Sequence, residues 1–352
     1  MNLVKLARRT FLAGLGTVLA LLFGTKRGVG IMLGNDLEAK KLPEDQKLFD
    51  VIVIGGSFAG LSAALQIART RRQVLVIDGG KPRNRFASRT YGFLGQDGKE
   101  ITQTIQTARK QLLAYPTAHF IEGKAIGAER HDDDLFSIAL NSKKTFQSKR
   151  IILATGVSDR LPEIPGLAER WGKTVNQCPY CHGYELAGET WGVLYTGEAS
   201  LHQAKLMPDW SDKVILFANG SDKIQADERA NLISHKITIE DTPIESIEGE
   251  DVSICNIRLQ NQKVVSLKAL FLITRSAIDN PIVTQLGCEL EDATFGKMIK
   301  TNNLKETTVK GVFAAGDVAR PIHNATWAAS DGVSAGIFTH QSLVVGINPY
   351  QD

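Results

Sequence analysis

Asp50-Val51-Ile52-Val53-Ile54-Gly55-Gly56-Ser57-Phe58-Ala59-Gly60, running on into Leu61-Ser62-Ala63-Ala64-Leu65-Gln66-Ile67-Ala68, decides the fold of this 352-residue chain. The unbroken apolar, β-branched run up to Ile54 predicts a buried strand, and the segment from Leu61 predicts a helix. The glycine turn between them is the arrangement that sets a pyrophosphate on a helix N-terminus. It departs from G-x-G-x-x-G at the third position, Ser57, whose side chain limits backbone approach but can itself donate a hydrogen bond. Val74-Leu75-Val76-Ile77-Asp78 predicts a second strand, ending in an acid 18 residues after Gly60. A carboxylate there accepts from adenosine ribose hydroxyls. A glycine turn alone could be only a tight loop, but two strands, a helix and a terminal acid in order favour a dinucleotide frame, with Gly55, Gly56, Ser57, Ala59, Gly60 and Asp78 as its residues.

Downstream come Gly80-Lys81-Pro82-Arg83-Asn84 and an amphipathic helical stretch near Thr102 to Leu113. Strands are expected around Phe120-Ile121-Glu122-Gly123 and Phe136 to Leu140, flanking an acidic turn at Asp132 to Asp134. Arg150-Ile151-Ile152-Leu153-Ala154-Thr155-Gly156 reads as another buried strand, ending in Thr155-Gly156. Gly311-Val312-Phe313-Ala314-Ala315-Gly316-Asp317 repeats the strand-into-polar-turn form, and Asp317 would suit a sugar-alcohol hydroxyl.

Mid-chain stands Cys178-Pro179-Tyr180-Cys181-His182. Two thiols at this spacing can close a small disulfide, and a loop running into a helix N-terminus favours a thiolate. A zinc site would need four ligands, and Cys255 and Cys288 are isolated, so no metal is expected. The same four residues occur in glutaredoxins, where they follow the first strand of a small domain rather than lying inside a 352-residue chain.

The chain is 43% hydrophobic and 22% charged, long enough for two domains with ample cores. Its net charge of +3 invites a nucleic-acid reading. Residues 1–34, however, carry Lys5, Arg8, Arg9, Lys26 and Arg27 and no acid; without those five, 38 acidic residues outnumber 36 basic ones. The basicity belongs to the leader, and nucleic-acid binding loses its support. The apolar run Phe11 to Phe23 is 13 residues, short for a bilayer span and right for a signal segment. Arg8-Arg9-Thr10-Phe11-Leu12 resembles a twin-arginine export signal, with Ala7 and Ala13 departing from its fuller pattern. No clear cleavage site follows, which leaves periplasmic export, a membrane anchor or an amphiphilic helix on a cytoplasmic protein.

The ordered set Gly55 to Gly60, Asp78, Ala154-Thr155-Gly156, Cys178-x-x-Cys181 and Gly316-Asp317 resembles the low-molecular-weight thioredoxin reductases from about residue 48 onward. The resemblance implies an α/β fold of two Rossmann-like three-layer ββα domains: an FAD domain in two parts, residues 48–163 and 278–352, interrupted by a smaller inserted domain, 164–277, that carries the CxxC. Residues 1–34 would be the signal segment and 35–47 a linker. It also implies a homodimer, Asp317 on the flavin's ribityl chain, and a helix near Trp327 aimed at the ring system.

The insert departs from that pattern. Its strand and turn read Trp191-Gly192-Val193-Leu194-Tyr195-Thr196-Gly197-Glu198, so Tyr195 and Glu198 bring bulk and negative charge where a pyrophosphate would sit. Ala218-Asn219-Gly220 stands where arginines would hold a 2′-phosphate, and no arginine follows until Arg229. NAD(P)H is therefore a doubtful cofactor. Pro82-Arg83-Asn84 and Cys178-x-x-Cys181-His182-Gly183 are similar to FAD-dependent dithiol oxidases, which pass electrons from a dithiol to oxygen or another acceptor. That resemblance adds Arg83, Asn84, Thr155, Gly156 and Gly316 to the cofactor residues. It gives Cys181 the flavin-facing role and Cys178 the exchange with substrate, a small dithiol or a protein thiol or disulfide. His182 would be the base that generates a thiolate, or a helix-start residue satisfied by backbone. The rivals are an NAD(P)H-dependent disulfide reductase and a flavin redox sensor without turnover. His202 reads as surface or packing, and His323 has no assigned role.

Overall fold

A computed structural model describes residues 47–345 apart from 133 and 251–255. The leader and Cys255 lie outside these described residues. Among them, no helix is long and apolar enough to cross a membrane.

The opening strand β1, Leu48–Ile54, forms where expected and is buried along its apolar run. It pairs in parallel on one side with β2, Val74–Asp78, and β2 pairs with β3, Ala118–Glu122. After the antiparallel strands β4, Ala125–Arg130, and β5, Phe136–Leu140, the long strand β6, Thr145–Leu153, returns beside β1. The acidic turn is flanked by β4 and β5; the segment around Phe120 belongs to β3, which ends before Gly123. The order across this seven-stranded sheet is β3-β2-β1-β6-β5-β4, with the late strand Val312–Ala314 paired to the C-terminal end of β6. Five parallel strands thus finish at one edge, at Ile54, Asp78, Glu122, Leu153 and Ala314, where ligands of open α/β sheets sit.

Residues Ser158–Arg160 and Arg275–Ala277 pair antiparallel, so the chain leaves and re-enters the first sheet along one short ribbon. The segment between builds a second, all-parallel sheet of five strands. Its members are Val175–Asn176, Trp191–Leu194, Val214–Phe217, Thr238–Glu240 and Ala269–Leu272. Each sheet has its own buried apolar clusters.

Helix α1, Phe58–Arg69, packs backbone to backbone against the twenty-residue helix Ala325–Val344. A Cβ on Gly332 would lie 2.0 Å from the Ala59 carbonyl oxygen, and one on Gly336 2.6 Å from that of Ala63. This packing sets the start of the long helix beside the glycine turn. Asn324 caps it, its side-chain oxygen accepting from the Thr326 and Trp327 amides at 2.8 and 3.4 Å.

A candidate flavin and disulfide site

The turn after β1 requires glycine for a steric reason. Gly55 has φ +111°, and a Cβ there would fall 2.1 Å from the Ala154 carbonyl oxygen; at Gly60 it would fall 1.8 Å from the Gly55 oxygen. Ser57 stands at the entry to α1 in an extended conformation and makes no capping bond through its side chain. Asp78 accepts from the Gly56 amide at 3.1 Å, tying the turn to the end of β2.

Of the catalytic and cofactor-binding residues picked out in the sequence, all but Gly60 line one cavity of about 610 Å³. Gly55, Gly56, Ser57, Ala59, Asp78, Thr155 and Gly156 form its floor at the sheet edge. Arg83, Asn84, Gly316 and Asp317 form a wall, and Cys178, Cys181 and His182 come in from the second sheet. Gly60 sits beneath, against the Gly55 carbonyl. Cys178 and Cys181 are joined in a disulfide, their Cα atoms 5.3 Å apart.

The cysteines do not run into a full helix. Pro179–His182 is a single helical turn followed by a 3₁₀ turn, Tyr184–Leu186, so the dipole available to a thiolate is small. The turn is seated instead on aromatic side chains. Trp191 is fully buried, donates through Nε1 to the Leu186 carbonyl at 2.9 Å and stacks on Trp210, while Tyr180 meets Trp210 edge-on at 5.2 Å. His182 is half-buried, and burial pushes its pKa below the ordinary value, keeping the imidazole neutral at neutral pH.

Sequence reading missed the cluster around Arg83. Asp159, Gln177, Thr274 and His323 converge there with Asp317. Burial raises the Asp159 pKa, but its bonds to Arg83 outweigh that and hold it below the ordinary carboxylate value. His323 Nδ1 lies 2.6 Å from Arg83 Nη1, so it accepts from the guanidinium as a neutral ring. Burial is the main reason its pKa falls. His202 is exposed yet lines the same cavity. The one local signal for this cluster was Gln177, a polar residue standing directly before the first cysteine.

The site fits a flavin dinucleotide. The glycine turn is a cradle that any Cβ would fill, Asp78 closes the strand end, and Thr326 Oγ1 is buried without a partner where Thr326 lines the cavity. A dinucleotide frame and a redox-active cysteine pair sharing one cavity define a flavin-dependent disulfide oxidoreductase. The chain belongs to the pyridine nucleotide-disulphide oxidoreductase family, whose model matches residues 49–332, and within it is a thioredoxin reductase-like enzyme. Membership implies a flavin, and a nicotinamide is also typical of the family.

Thioredoxin reductase sirT of Leptosphaeria maculans is 31% identical over 306 residues, 82% of this chain and 92% of that protein. Thioredoxin reductase tcpT of Claviceps purpurea is 31% identical over 310 residues, 86% and 96% of the two chains. The crystal structure of an oxidoreductase from Agrobacterium tumefaciens matches with a TM-score of 0.81 and 41% identity over 85% of this chain and 99% of that one.

Proposed function

We propose that the enzyme oxidises a dithiol to a disulfide, using FAD and either oxygen or another acceptor. The observation that carries this direction is the closed turn of the second sheet. Thr196 N donates to Ser200 Oγ at 3.0 Å and Thr196 Oγ1 to the Ile273 carbonyl at 2.7 Å, so the amide and hydroxyl of this turn residue are already engaged and not offered to a nicotinamide pyrophosphate. Arg229, the first arginine after the next strand, is forked onto Asp241 at 3.1 and 2.6 Å.

In the proposed reaction a substrate thiolate attacks Cys178 Sγ, forming a mixed disulfide and releasing Cys181 as a thiolate. The second substrate thiolate attacks the substrate sulfur of that bond, and Cys178 leaves. The substrate has lost two electrons and two protons, and the enzyme pair now holds the electrons as a dithiol. FAD, held by the glycine turn, Asp78 and Asp317, supplies the route from that dithiol to the acceptor. His182, neutral and beside Cys181 in the chain, takes the thiol proton.

If His182 is that base, His182→Ala slows turnover by roughly 10²-fold or more. Because its pKa is lowered and the neutral ring is the active form, the wild-type rate holds as pH falls and drops only below the ordinary histidine value. That acid limb should vanish in the variant; an unchanged profile would make His182 structural.

Two other readings compete with this one. The reductase direction is favoured by the names of the fungal relatives. A redox sensor would use the same cavity without turnover. Purified protein fed a small dithiol in air is expected to consume thiol continuously, with oxygen uptake or reduction of an added acceptor. Consumption that stops at about one equivalent per cysteine pair would point to a sensor.

We further propose a homodimer, on the family resemblance, and export, on Arg8-Arg9 and the apolar run of the leader. Disulfide-forming chemistry suits an oxidising compartment, where nicotinamide is scarce.

A further inference from the structure

Arg83 is remote in sequence from both the cysteines and Asp317, yet its N–H groups are committed to Asp159, to Gln177 beside the first cysteine, to Asp317 and to His323. Nε and Nη2 fork onto Asp159 at 2.9 and 2.5 Å, and Nη2 also donates to Gln177 Oε1 at 2.9 Å. Nη1 donates to Asp317 at 3.0 Å and to His323 Nδ1 at 2.6 Å. Five donors make five bonds, which leaves none for a cofactor phosphate. Gln177 immediately precedes Cys178 and is held from its other side: Gln203, buried on the helix Glu198–Leu206, donates to the Gln177 carbonyl at 2.5 Å. Thr274, at the re-entry ribbon, donates to Asp159 at 2.8 Å.

We propose that Arg83 is a positioning residue rather than a cofactor ligand: one guanidinium fixes the segment before Cys178 relative to Asp317, and so sets the cysteine pair against the flavin. The proposal rests on the flavin reading of the cavity. Its geometry needs a planar fork, since a lysine carries the charge but cannot reach Asp159, Asp317 and Gln177 together. The two carboxylates hold the arginine charged although it is partly withdrawn from solvent.

Arg83→Ala would strand Asp159 and Asp317 together and risks misfolding, so the sharper variant is Gln177→Leu, which removes one acceptor and leaves the carboxylate pairs intact. It is made in a Cys178→Ser background, where a lone Cys181 thiolate against the flavin gives a long-wavelength absorption band, and is compared with Arg83→Lys. At equal flavin content both are expected to lose most of the band. Amide exchange over residues 177–183 should quicken by about tenfold, as loss of one charge-assisted bond implies. An unchanged band in Gln177→Leu overturns the proposal, whether or not exchange quickens, because Gln177 would then stiffen only its own loop. If Cys178→Ser alone shows no band, the thiol-to-flavin reading fails instead. The proposal, which rests on that reading, then falls with it, whatever the exchange shows.

Discussion

Cys178→Ser is expected to cut dithiol turnover by about 10³-fold or more while the flavin stays bound and chemically reducible, since the residue that receives the substrate thiolate is gone. Cys181→Ser should be equally inactive for a different reason: Cys178 is left a lone thiol, with no disulfide for the substrate thiolate to open and no partner to pass electrons inward. The structure supports testing the two separately because both sulfurs are half-buried on the same cavity and neither carries a visible preference for one role. Spectra divide them. A thiolate–flavin band belongs to the variant that retains the flavin-facing cysteine, expected to be Cys178→Ser. A band found only in Cys181→Ser would exchange the two assignments, and substantial turnover in either variant would remove the cysteine pair from the mechanism.

What the sequence disclosed and what it hid divide along distance in the chain. The turn Gly55 to Gly60 and the strand ends at Asp78, Thr155 and Asp317 were legible because each motif is local: apolar run, glycine and acid stand within a few residues of one another. The Arg83 cluster was not, since its partners Asp159, Gln177, Asp317 and His323 lie 76, 94, 234 and 240 residues away. No periodicity reports such pairings. Gly332 and Gly336 are a middle case. Their four-residue spacing puts them on one face of a helix, but only the structure reveals the carbonyls of Ala59 and Ala63 that any side chain would strike. The helix expected after Cys178 shrinks to one turn: Gly183 keeps helical geometry, a 3₁₀ turn follows at Tyr184–Leu186, and the Leu186 carbonyl accepts from the Trp191 indole.

Electron supply is the property on which the oxidase and reductase readings differ most. Under anaerobic conditions a small dithiol should bleach the flavin rapidly, and NADPH or NADH should do so slowly or not at all. In the second sheet the turn after Trp191–Leu194 spends its Thr196 amide and hydroxyl on Ser200 and Ile273, with the Glu198 carboxylate opening the helix that follows. After Val214–Phe217, the amide of Gly220 is bonded to the Asp241 carbonyl and the Asn219 side chain to the Ile244 amide. Arg229 cannot turn to a 2′-phosphate without abandoning both oxygens of Asp241. A phosphate site missing two charge-assisted hydrogen bonds, at roughly 1.5–3 kcal/mol each, binds a nicotinamide dinucleotide more weakly by about two to four orders of magnitude. In stopped-flow traces the dithiol rate should therefore exceed that with equal NADPH by at least about 10²-fold. Oxygen uptake then sorts the acceptor: fast uptake with peroxide release marks oxygen as the oxidant, and fast anaerobic bleaching with sluggish uptake marks another molecule. Saturable flavin reduction by micromolar NADPH would defeat the oxidase assignment and return electron flow to the direction of the reductases.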